Sequence, residues 1–83
     1  MNALFEKKVV ARVVSVKHRT KFVSNLVTAR KRRGLTQLEL AERSGVGRIA
    51  IAMYESGKSL PPLPKFMQLC KALRTTPNRL LKA

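Results

Sequence analysis

Apolar side chains recur at spacings of three and four along most of this chain, and the exceptions fall in its first twenty residues. Phe22, Val23, Leu26 and Val27 form one stripe, which predicts a helix from a Thr20 cap to Arg33 with Gly34 as its stop. Leu38, Leu40 and Ala41 form a second stripe behind Thr36. Thr36 and Glu39 stand three apart, the spacing of a capping box: the hydroxyl accepts from the N–H near Glu39, and the carboxylate reaches back to the Thr36 N–H. Ser44-Gly45 ends that helix, and a third helix is expected from about Gly47 to Glu55 before Ser56-Gly57 stops it. Leu63, Phe66, Met67, Leu69, Cys70 and Leu73 then supply core and interface of a fourth helix. Thr76 can cap a short last one, with Pro77 in its first position.

The pattern over residues 1–21 is different. Val9-Val10-Ala11-Arg12-Val13-Val14-Ser15-Val16 is rich in β-branched residues and suits a strand or extended arm. Phe5, Val9, Val13 and Val16 also fit helical spacing, so the period alone leaves strand, helix and disorder open. A lone strand here has an open edge that a symmetry mate could pair. Lys7, Lys8, Arg12, Lys17, Arg19 and Lys21 make the segment basic, either as a solvated face or as an arm that follows phosphates.

Two short helices joined by a Gly-containing turn between Thr36 and Gly57 describe a helix-turn-helix. The series Gln37, Leu40, Ala41, Gly45, Val46, Ile51, Tyr54, Glu55, Gly57, Lys58 resembles the small phage-repressor and Cro-like proteins of the XRE family. The resemblance spans roughly Phe22 to Leu81 and has physical content: Ala41 is small where helices cross, Gly45 makes the turn, and Ile51 and Tyr54 point inward. It implies that Arg30 pairs with Glu55 as a structural ion pair, and that Gln37 meets a backbone phosphate. It also implies a helix starting in Lys58-Ser59-Leu60-Pro61-Pro62-Leu63-Pro64, where Pro suits a first turn better than a polyproline docking peptide. The glycine that the family places after this helix is replaced by Arg74.

Charge narrows the partners. Eighteen Lys and Arg against four acidic residues give a net charge of +14 in 83 residues. A polyanion is the natural counterpart, because each neutralised phosphate releases condensed counterions. RNA or an anionic membrane surface fits charge alone equally well; the helix-turn-helix selects duplex DNA. One Cys forms no internal disulfide, which fits a reducing cytoplasm, and Cys70 reads as an inert core thiol. Glu6, Lys7, Lys8 and Arg12 interrupt the N-terminus, so neither a signal peptide nor a membrane span is expected. His18 has no ligand partners nearby, no Cys/His/Asp cluster has metal spacing, and acidic residues are too few for paired-carboxylate work. No catalytic residue, metal or cofactor is therefore expected.

Helical geometry places the binding face. With Ile51, Tyr54 and Glu55 inward, Arg48, Ile49, Ala52 and Met53 share the opposite side of the third helix. In a major groove, Arg48 can take guanine O6 and N7 together, while the other three offer only apolar contact to thymine methyls. Gln37, Arg43 and Lys58 are candidate phosphate contacts, with solvent exposure the competing role for Arg43.

The expected fold is all-α, a five-helix lambda-repressor-like domain over residues 21–83 behind a basic, Val-rich extension over 1–20 that is a strand or arm. The expected function is sequence-specific binding of an inverted-repeat operator in double-stranded DNA by a cytoplasmic, nucleoid-associated homodimeric repressor. The fold is shared with antitoxins that also bind a partner toxin, a reading the extra Val-rich segment favours slightly. A protein-interaction module using Ile49 and Met53, and an RNA-binding accessory protein, are the rivals.

Overall fold

The computed structural model describes the backbone of residues 16–82 and the side chains of 20–82. Among these residues there are five helices and no strand: α1 Val16–Arg32, α2 Gln37–Ser44, α3 Arg48–Ser56, α4 Leu63–Leu73 and α5 Pro77–Leu81. The all-α class expected from the periodicity is the observed one. The strand or arm read into the Val-rich run lies outside the described residues, except that Val16 itself opens α1.

One boundary differs. Thr20 was expected to cap the first helix, yet α1 begins four residues earlier and Thr20 lies within it. Nothing between Val16 and Lys21 breaks a helix, and Lys and Arg are good helix formers. A threonine in front of an apolar stripe is a cap only where the chain leaves helical geometry. The helix therefore runs through the boundary drawn at residue 20.

Each remaining element has a local cause. Thr36 is extended and caps α2: its Oγ1 accepts from the Glu39 N–H at 3.0 Å, and the Thr36 N–H donates to Glu39 Oε1 at 2.9 Å. These two bonds, with Arg43 one turn later, hold the Glu39 carboxyl below the usual carboxylate range. Gly45 stops α2 at φ 76°, a left-handed conformation that costs glycine little. The buried Ser44 Oγ then accepts from the Val46 N–H at 3.1 Å, which fixes the turn and drives Val46 into the core. Pro62 and Pro64 flank the start of α4 as its cap and an early helical position. Where the family pattern has glycine, Arg74 adopts the left-handed geometry itself, at φ 52° and ψ 46°.

The core is aliphatic with a little aromatic content. Phe22 and Leu26 of α1, Leu40 of α2, Ile51 of α3 and Leu69 of α4 are fully covered. Phe22 and Phe66 lie with ring centroids 5.6 Å apart and tilted by 41°, a favourable offset arrangement. Burial pushes the Cys70 thiol up to about 11, so it is protonated and packs as a small apolar group. Leu38 departs from its expected place in the apolar stripe of α2 and is 54% exposed. It stands two residues before the buried Leu40, on roughly the opposite side of the helix.

α1 packs on α3 and α5, while α2 packs on α3 and α4. Asn25 of α1 ties down the far end of the chain, its Nδ2 donating to Leu80 O at 3.0 Å and Lys82 O at 2.9 Å. Those carbonyls belong to the end of α5, where a short helix leaves its last acceptors unpaired.

Candidate nucleic-acid interface

α3 has one anchored side and one free side. Ile51 and Tyr54 are buried beneath it. On the outward side Arg48, Ile49, Ala52 and Met53 join Ser56 and Lys58 around an open depression of about 410 Å³. Ile49 is 76% exposed and Met53 40% exposed, a strongly apolar surface for a helix facing solvent. Arg48 and Lys58 stand at its two ends as exposed cations. Five of the residues singled out in the sequence are thereby brought onto one surface.

Ser56 completes that surface and was missed by sequence reasoning. It follows Ala52 by four positions and Met53 by three, so helical spacing alone was enough to find it. Its Oγ donates to Met53 O at 3.0 Å, which leaves its lone pairs free to accept.

The far end of α3 is clamped from beneath by a charged network. Arg30 Nε donates to Glu55 Oε2 at 2.7 Å and Arg30 Nη2 to Glu55 Oε1 at 2.9 Å, a bidentate pair. Arg30 Nη1 also donates to Leu35 O at 2.8 Å, in the connection between α1 and α2. The two side chains are only 12% and 6% exposed. Its hydrogen bonds to Glu55 raise the Arg30 pKa further, so the guanidinium is permanently charged.

Gln37 joins this network. Its Nε2 donates to Glu55 Oε1 at 3.1 Å, which orients the amide at the start of α2. One N–H of that amide remains for an external acceptor. Arg43 lies elsewhere: it is exposed at the end of α2 and lines a groove with Arg33, Lys71 and Arg74, not the depression over α3. The cations of the first twenty residues fall outside the described side chains. Among the described residues, no three His, Cys, Asp or Glu side chains come together as a metal site would require, and no helix is long and apolar enough to cross a membrane.

A scaffold that buries one side of a short helix and presents the other with flanking cations is the arrangement of a DNA-reading helix-turn-helix. The family model for the helix-turn-helix matches residues 26–80, from within α1 to within α5. The chain belongs to the helix-turn-helix family of Cro- and repressor-like DNA-binding proteins. Comparison with curated proteins and with solved structures gives no significant match.

Proposed function

We propose that this protein is a dimeric transcriptional repressor that reads an inverted-repeat operator by placing α3 in the major groove. The observation that carries this reading is the gathering of Arg48, Ile49, Ala52, Met53 and Lys58 on the single free side of α3. Arg48 pairs with a guanine edge, and Ile49, Ala52 and Met53 pack on thymine methyls. Lys58 and the remaining N–H of Gln37 hold phosphates, which set register without reading sequence. Support for a second copy comes from Leu63 and Met67, one turn apart on α4 and both exposed, at 38% and 47%. Such a protein acts on nucleoid DNA in the cytoplasm.

Binding-site selection with wild type and two variants tests this. Arg48→Ala should cost about 1–3 kcal/mol on the selected site and relax preference at one base pair per half-site. Lys58→Ala should weaken all sequences alike. The half-site centres should lie about 34 Å apart, one helical turn. An unchanged motif for Arg48→Ala, or the absence of any inverted repeat, would defeat the reading. The exposure of Ile49 and Met53 on one surface favours a second reading in which this surface docks a protein partner such as a toxin.

A further inference from the structure

A second basic surface lies apart from α3. Two adjoining cavities, of about 320 and 480 Å³, cross the C-terminal ends of α1, α2, α4 and α5. Arg32, Arg33, Arg74 and Arg79 line the first, and Arg33, Arg43, Lys71 and Arg74 line the second. They share Arg33 and Arg74 and so form one open run, and neither cavity is lined by any residue of α3. Among the described residues the single salt bridge is Arg30–Glu55, so none of these six cations is paired in one. Arg33 lines both cavities.

Helix dipoles account for part of this charge. Each C-terminal end carries about half a negative charge, so four ends offset roughly two of the six cations. Glu39, one turn from Arg43, offsets part of another, and the remainder concentrates field in a concave surface. Arg74 adds to it from a left-handed backbone conformation that favours glycine. A small metabolite would want an enclosed pocket with apolar walls. An open run with shared cations suits successive phosphates of a chain.

We propose that this groove is a second DNA site, holding the phosphate backbone of a separate duplex segment without base preference, so that one molecule bridges two stretches of DNA. The choice of DNA over other polyanions rests on the family's DNA binding, while the groove shares no residue with the α3 surface.

The test uses the full chain, one duplex fixed to beads and a second, fluorescent duplex of unrelated sequence in solution. Wild type should bind the fixed duplex and retain the fluorescent one. Arg32→Gln/Arg33→Gln/Arg79→Gln should lower retention about tenfold, with a shallower salt dependence, because each lost phosphate contact removes about 0.9 from the slope. Affinity for the fixed duplex should stay within about threefold, since the α3 contacts that read it are untouched. If thermal melting shows that the triple variant does not fold, Arg32→Gln/Lys71→Gln, both at exposed positions, asks the same question. Unchanged retention would overturn the proposal, as would a parallel loss of affinity for the fixed duplex or retention of RNA in place of DNA. A wild type that binds the fixed duplex and retains no second one refutes this inference alone. A wild type that binds neither refutes the α3 reading as well.

Discussion

Glu55→Ala tests the network beneath α3. The substitution removes the acceptor for two Arg30 donors, at 2.7 and 2.9 Å, and for the Gln37 amide at 3.1 Å. Only the Leu35 carbonyl is left to the guanidinium, which is 12% exposed and keeps its charge at any ordinary pH. Breaking a buried pair from one side costs about 3–5 kcal/mol, because the remaining charge is desolvated and uncompensated. In a domain of this size each kcal/mol is worth about 4–8 °C, so the melting midpoint should fall by well over about 10 °C. Arg32→Ala deletes an exposed charge at the end of α1, the helix that carries Arg30, and should cost within about 0.5 kcal/mol. Replacing both partners by leucine should cost less than Glu55→Ala alone, since no charge is then stranded. Urea and thermal unfolding of the four proteins measure this. Equal midpoints for Glu55→Ala and Arg32→Ala would show that the pair does not anchor α3.

Three further outcomes are expected. Arg74→Gly should raise stability by about 0.5–1 kcal/mol in urea unfolding, the left-handed penalty less the entropy of glycine; a loss of stability would place Arg74 in a compensating contact. Thr36→Ala should cost about 1 kcal/mol by the same assay. Because the folded Glu39 pKa is lowered, chiefly by the backbone N–H of residue 36, its share of the cap is present at neutral pH and lost as pH falls through that pKa, so wild type and Thr36→Ala should both lose stability in acid while Glu39→Gln should not show this loss. The Cys70 thiol should resist alkylation in the folded chain until pH approaches about 11, and its raised pKa removes stability as pH climbs from 9.0 toward that value. Rapid alkylation at neutral pH without unfolding would contradict the packing.

What the sequence made legible was whatever depends on neighbours within a turn or two. The Thr36–Glu39 box and the Gly45 stop follow from local spacing, while the inward Ile51 and Tyr54 came with the family resemblance, since α3 is apolar on most of its sides. Arg30 and Glu55, 25 residues apart, could be paired only through the family resemblance, because nothing local links them. Thr20 failed as a cap because a capping residue type is permitted inside a helix, and only packing decides where the helix begins. Leu38 failed because its hydrophobicity outweighed its angle: two positions from Leu40 it had to face away. The groove of Arg32, Arg33, Arg43, Lys71, Arg74 and Arg79 was not legible, since it forms where the ends of four helices meet. The Gln37 contact to Glu55 belongs with it, a side-chain bond across two helices that no spacing announces.

The clamp that joins α1, the Leu35 connection, α2 and α3 through Arg30, Glu55 and Gln37 has a consequence for how this protein would meet its target. A short helix in isolation is mostly unfolded in water, and one that ordered only on contact would have to surrender backbone freedom at that moment. Here that loss has already been met during folding. The recognition helix is tied to the scaffold by three charge-assisted hydrogen bonds to Glu55 and by the side chains buried beneath it, so encounter with DNA leaves only its exposed side chains to settle. Discrimination between sites then reflects how well each groove fits a fixed shape, and a poorly matched sequence finds little slack in the helix to accommodate it.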